Sequence, residues 1–300
     1  MLTHLRLLLH PRRAVARLVT RVLNRLARAA QARGDYERAE RLFERALSFV
    51  ERSLGHSDIE VAAVLNNLGV LYKDLGRFDQ AERVYQQAMV LVRAARGEHS
   101  FEIATLYHNL GGLEHARGQY ALGEPHARRG LAIREGLLGQ NHPDVAADAA
   151  ALAAILEGQG KRYEAEMLIR RALSVFERVY GSRHYEVAVN LNNLAALRHA
   201  SGNPREAEQL YQRALGIKEK LLGMNHPDVA VTVNNLAVLY KDQGRYDAAQ
   251  QLYGRAQTIF QRAFGPNHPK AIACQENYLA SVRAQEAVQS LAQDKGQQSK

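Results

Sequence analysis

The chain is 300 residues long, 46% hydrophobic and 24% charged, with one cysteine, Cys274, and a formal net charge of +9. A single thiol excludes an internal disulfide framework and makes a reducing, cytoplasmic setting the simplest one; no apolar run reaches the roughly 18 residues that a membrane span needs. The positive charge belongs to one end, since residues 1–33 hold eight arginines and no lysine, aspartate or glutamate, while the rest of the chain balances 32 basic against 31 acidic groups. A near-neutral body offers no continuous track for a phosphate backbone, which disfavours nucleic acid as a partner.

Taken in chain order, residues 1–12 are a basic and apolar segment, with Leu5, Leu7, Leu8 and Leu9 ahead of His10 and Pro11. Residues 1–30 together read as a basic amphipathic stretch of the kind that lies on an anionic bilayer, which leaves peripheral membrane contact open. They also have the composition of a transit peptide. A secretory signal fits poorly, because the apolar run is short and no clear cleavage site follows it.

From about residue 13 a period of 42 takes over. Gly34, Gly76, Gly118, Gly160, Gly202 and Gly244 fall on one phase, and Gly55, Gly97, Gly139, Gly181, Gly223 and Gly265 on another. Between them the apolar spacing is helical. Val61, Leu65, Leu68, Tyr72 and Leu75 make one stripe, and Phe78, Ala81, Tyr85, Ala88 and Val92 a second. Each unit is therefore predicted to be a helix, a tight turn at the first glycine, a second helix, and a loop at the second glycine. The units run over about 13–55, 56–97, 98–139, 140–181, 182–223 and 224–265, followed by a capping helix over 268–288 and a polar, frayed tail over 289–300. No segment alternates with period 2, so no strand is expected.

The helix ends carry their own signals. HPDVA occurs at His142 and His226 and HPKAI at His268, which puts proline at a first helical position where no N–H is needed. The glycines before them, Gly139 and Gly223, are expected to end helices in a left-handed conformation. Alanines at one phase (Ala39, Ala81, Ala165, Ala207, Ala249) and a second (Ala46, Ala88, Ala172, Ala214, Ala256) mark where paired helices approach closely. Unit 98–139 departs, with Gly123 and Gly130 at those phases and Pro125 in its second helix, which is expected to be weak or to begin late.

Leu68, Gly69, Tyr72, Ala81, Tyr85 and Ala88, and again Leu236, Ala237, Tyr240, Ala249, Tyr253 and Ala256, resemble the tetratricopeptide repeat unit. The 42-residue period and the phrases LNNLAALR and VNNLAVLYKDQGRYDAAQQLY are similar to the kinesin light chain type of that family. The resemblance spans roughly residues 15–285. It implies an all-α, right-handed superhelical solenoid of about six helix pairs with a terminal capping helix. It further implies a non-catalytic scaffold that binds a protein or peptide in the concave groove lined by the first helices.

On those helices one phase gives Asn67, Asn109, Asn193, Asn235 and Asn277, and the position before it Asn66, Asn192 and Asn234. Each amide offers a donor and an acceptor per repeat, suited to the backbone of an extended peptide and equally to bonds that set the helix register. The ladder is interrupted by Ala150 and Ala151. Shifted by 42, Arg21, Arg25 and Arg28 fall on the phases of Ala63, Asn67 and Val70. An arginine stripe there, with no acid near it in sequence, would receive carboxylate or phosphate from an acidic partner; the alternative is a solvated outer face.

Chemistry finds no constellation. His142, His184, His226 and His268 share a phase but lie one helix pair apart, too far to share a metal, and are read as loop caps. His108 and His115 are separated by seven residues. Cys274 lies in an apolar stretch and is read as a buried thiol. Paired carboxylates look like exposed helix-surface charges. No catalytic residue, cofactor, metal or small-molecule substrate is expected.

Overall fold

A computed structural model describes the backbone of residues 11–298 and the side chains of residues 13–290. The readings placed on residues 1–10 lie outside the described residues. Thirteen α-helices and no strand are found among the described residues. They form two compact units, Met1–Lys161 and Arg162–Lys300. The first holds α1 (Pro11–Ala32), α2 (Tyr36–Leu54), α3 (Ile59–Asp74), α4 (Phe78–Arg96), α5 (Phe101–Ala116), α6 (Tyr120–Leu138) and α7 (Pro143–Gly158). The second holds α8 (Arg162–Tyr180), α9 (Tyr185–Ala200), α10 (Pro204–Leu222), α11 (Pro227–Asp242), α12 (Tyr246–Phe264) and α13 (Pro269–Gln298).

Within each unit, antiparallel helix pairs stack so that each first helix also touches the first helix of the next pair. All ten of the phased alanines are completely buried between helices, as the close-approach argument requires. A larger residue fills the phase between them, with Phe43, Tyr85, Tyr211 and Tyr253 buried. The Tyr85 ring presses on Gly69 so closely that a Cβ there would sit 2.3 Å from it. The all-α repeat stack thus follows from a sequence in which small and large residues alternate at fixed phase.

All twelve periodic glycines have positive φ, and no other described residue does. After the first helices they close Schellman turns; at Gly76, for example, Arg77 N–H donates to Tyr72 O at 2.8 Å and Gly76 N–H to Lys73 O at 3.0 Å. After the second helices the expected left-handed conformation is not found. Gly139 sits at φ 79°, ψ 155° and Gly223 at φ 84°, ψ 155°, a region open essentially to glycine alone. The extended ψ turns the chain straight into the next N-cap, which a left-handed residue would not do. His142, His184, His226 and His268 supply those caps, their Nδ1 atoms accepting from the N–H two residues on at 3.1–3.2 Å. Asp58 does the same at this phase, and Ser100 caps there by accepting from the Ile103 N–H, three residues on.

Two expectations need correcting. The helix carrying Pro125 does not begin late, because α6 starts at Tyr120 and runs 19 residues like its counterparts. The orphan carbonyl left by proline belongs to exposed Ala121, where water can serve it. Glu124 holds this turn in place. It accepts from Lys161 at 2.6 Å, Gln159 at 2.8 Å and Arg128 at 2.8 Å, and these bonds, the Lys161 bond foremost, hold its carboxyl down at about 2. Gly123 and Gly130 then allow α6 to settle against α5, where a Cβ on Gly130 would lie 3.0 Å from Ala104 O. The tail expected to fray stays helical through Gln298, its Ala, Gln and Lys being good helix formers.

Candidate functional site on the first-helix face

In the first unit the first-helix face carries a cavity of about 350 Å³ between α3 and α5. Ala62, Ala63, Asn66 and Asn67 of α3 form one wall, Phe101 and Thr105 of α5 the other, with Val92 and Arg96 of α4 behind them. The floor is apolar because Val92 and Leu106, which occupy it, are the apolar members of the repeat at those two phases. Asn109 closes the far end by donating to Asn66 Oδ1 at 2.7 Å. Asn67 makes no hydrogen bond with a described residue and is half-buried on the same wall.

One repeat on, the same location is filled. Arg134 and Asp148 replace Val92 and Leu106 and are both almost fully buried. Arg134 Nε donates to Asp148 Oδ2 at 2.7 Å and Nη2 to Thr105 Oγ1 at 3.3 Å, while its guanidinium stacks 4.5 Å over the Phe101 ring. His108 Nδ1 lies 2.7 Å from Asp148 Oδ1. The second unit repeats the theme with Lys218, Thr232 and Tyr185 at the phases of Arg134, Asp148 and Phe101. Lys218 Nζ donates to Thr232 Oγ1 at 2.9 Å and to the Asp228 carbonyl at 3.3 Å, and Tyr185 OH donates to Asp228 Oδ2 at 2.8 Å. Burial pushes the Lys218 amine below its usual range, against the pull of Asp228. Burial, followed by the Asp228 bond, raises the Tyr185 phenol.

The amide ladder is divided between structure and availability. In the second unit Asn192 is buried, donating to Asn193 Oδ1 at 3.5 Å and accepting from Asn235 at 3.3 Å. Asn193, Asn234, Asn235 and Asn277 are half-buried on the same face, and Asn234 Oδ1 is buried without a partner. Asn24, on the phase of Asn66, extends the ladder into α1, and its Oδ1 is also unpartnered. Asn24 is not among the residues the sequence points to, and His108 is read there only as an unsuitable metal ligand, although a 42-residue shift from Asn66 leads to both.

The arginine stripe is not free of acids. Glu60, in the first turn of α3, sits 3.7 Å from both Arg17 and Arg21, brought there by stacking of α3 on α1 across a sequence gap that hid it. Arg25 and Arg28 are exposed and pair with no described residue. Carboxylates are not confined to the surface either, since Asp148 and Glu114 are both buried. Cys274 is buried, its thiol directed at Tyr253 O at 3.6 Å, and burial pushes its pKa up to about 11. Its surroundings are those of a packing residue.

The sequence profile described as Tetratricopeptide repeat matches residues 18–94, 102–162, 146–220 and 228–291. The chain belongs to the tetratricopeptide repeat family. Its repeats form a protein-interaction scaffold, and the family is generally non-catalytic. This tetratricopeptide protein is similar to the crystal structure of BtubC (BKLC) from P. vanneervenii, at 25% identity over 82% of this chain and 94% of that one, with a TM-score of 0.58. It is similar to a Podosopora anserina putative kinesin light chain with nearly identical TPR-like repeats, at 22% identity over 67% and 95% with a TM-score of 0.53. The type IV pilus biogenesis factor PilW shares the fold at 18% identity over 85% and 97%, with a TM-score of 0.56. No curated protein matches the chain. No described helix is long and apolar enough to cross a membrane.

Proposed function

We propose that this protein holds an extended acidic peptide segment on its first-helix face, with one apolar side chain seated in the cavity between α3 and α5. The observation that carries this reading is the cavity itself, an apolar floor at which Asn66 and Asn67 stand together. Amides spaced one per repeat match the recurring N–H and C=O groups of an extended backbone. Asn67, half-buried and without a hydrogen bond to any described residue, is an amide that a ligand backbone can engage from this wall. The acidic part of the ligand goes to Arg25 and Arg28, which are free of carboxylate partners, and less to Arg21, which shares Glu60.

Selection of a displayed random-peptide library on the full chain tests this. Peptides with a large apolar residue flanked by acids are expected to enrich, and Asn67→Ala and Arg25→Glu/Arg28→Glu variants are expected to bind them at least about tenfold more weakly. Undiminished affinity in the arginine variant removes the acidic end of the ligand; undiminished affinity in both removes the site.

A further inference from the structure

We infer that the outer face of α1 is a docking surface for an anionic lipid bilayer, with an apolar stripe of its own and an arginine flank that shares Arg25 and Arg28 with the proposed peptide face. Val15, Leu18, Val22 and Leu26 form a stripe along α1, spaced 3, 4 and 4, and all are exposed; Leu18 is 63% exposed. Val22 and Leu26 occupy the repeat phases of Val64 and Leu68, which are 0% and 2% exposed because the preceding helix pair covers them. An apolar face about 16 Å long therefore stands exposed along α1.

Charge decides what fits it. Arg17, Arg21, Arg25 and Arg28 lie along one flank of the stripe, and all are exposed; Glu60 is the one carboxylate found beside them among the described residues. An antiparallel twofold pairing with a second copy would set this flank against its own symmetry mate, arginine against arginine. A surface that is apolar and negative together satisfies both features. A bilayer with anionic headgroups supplies acyl chains for the stripe and phosphates for the guanidiniums. The sequence immediately before α1, with Leu7, Leu8 and Leu9 consecutive, favours lipid over an acidic partner helix. Three adjacent leucines cannot share one helical face, whereas a hydrocarbon layer accepts apolar groups in any direction.

Flotation of the full chain with phosphatidylcholine vesicles, with and without phosphatidylglycerol, is the test. The chain is expected to float only with phosphatidylglycerol present. Val15→Gln/Leu18→Gln, which keeps every charge and alters only exposed side chains, is expected to weaken binding at least about tenfold while leaving the circular dichroism melt and peptide binding unchanged. Arg25→Gln and Arg28→Gln are each expected to weaken it about fivefold. Absence of phosphatidylglycerol-dependent flotation overturns the proposal and returns the surface to an acidic protein helix. Flotation unaffected by Val15→Gln/Leu18→Gln, or abolished by millimolar inorganic phosphate, also overturns it, because either outcome reduces the interaction to arginine and phosphate alone.

Discussion

The boundary between α3 and α5 and the boundary between α5 and α7 are built from first helices of equal length, 16 residues each, and carry opposite chemistry. At the first, Val92 and Leu106 leave a cavity; at the second, Arg134 and Asp148 fill it with a buried ion pair that also engages Thr105 and the Phe101 ring. In the second unit Lys218 fills the equivalent place without a carboxylate partner for its Nζ. At these two boundaries the room for a side chain differs with two residues, Val92 and Leu106 against Arg134 and Asp148. A filled boundary is the costlier one to build, because taking charges out of water is recovered only by good geometry.

That difference gives the largest expected effect. Arg134→Ala leaves Asp148 buried beside His108 alone and should destabilise the fold by about 3–5 kcal/mol, read as a lower midpoint in urea. The double change Arg134→Val/Asp148→Leu copies the open boundary and should recover that loss or exceed it. If the double variant is as unstable as the single one, the ion pair is not an exchangeable plug.

Lys218→Met should stabilise by about 1–2 kcal/mol near neutral pH, since Thr232 can turn its hydroxyl to its own helix. The folded amine titrates below its ordinary 10.5, so between those two values the unfolded chain holds more protons and wild-type stability rises with pH. The advantage of Lys218→Met should therefore shrink as pH climbs toward 10.5. A constant difference across that range would show that Lys218 does not carry the cost.

Smaller effects separate register from recognition. Asn109→Ala removes the donor to Asn66 and should cost about 1 kcal/mol of stability, whereas Asn67→Ala, with no bond to lose, should leave the melting curve in place and weaken peptide binding. The smallest effect expected is at His268. Its imidazole, lowered by burial and then by Lys270, caps α13 through an unprotonated Nδ1. Because the folded pKa lies below 6.5, this contribution is present above pH 6.5 and is lost as pH falls through the folded value. His268→Asn, which caps at any pH, should flatten that dependence, by about 1 kcal/mol or less.

The repeat architecture was legible because its signals are local. Glycines at two phases, histidine and aspartate caps and buried alanines each act within a few residues, and each recurs every 42. What the sequence hid was contact between repeats. Glu60 meets Arg17 and Arg21 only after α3 stacks on α1. Arg134 and Asp148, apart by 14 residues on different helices, look like ordinary surface charges until Val50, Val92, Arg134 and Lys218 are aligned by phase. That alignment was available from sequence and would have exposed a charge where the repeat is otherwise apolar. Pro125 misled for a related reason, since its cost depends on the exposure of one carbonyl and on anchoring by Lys161, neither of which is written locally.

The central claim is that the α3–α5 boundary is open to a ligand side chain while its neighbour is closed. It is tested most directly by the affinity of a library-selected peptide for Ala63→Phe and for Ala147→Phe, exposed positions on the walls of the open and the filled boundary respectively. A loss of about tenfold or more is expected for Ala63→Phe, with unchanged affinity for Ala147→Phe. Equal losses, or a loss confined to Ala147→Phe, would contradict it.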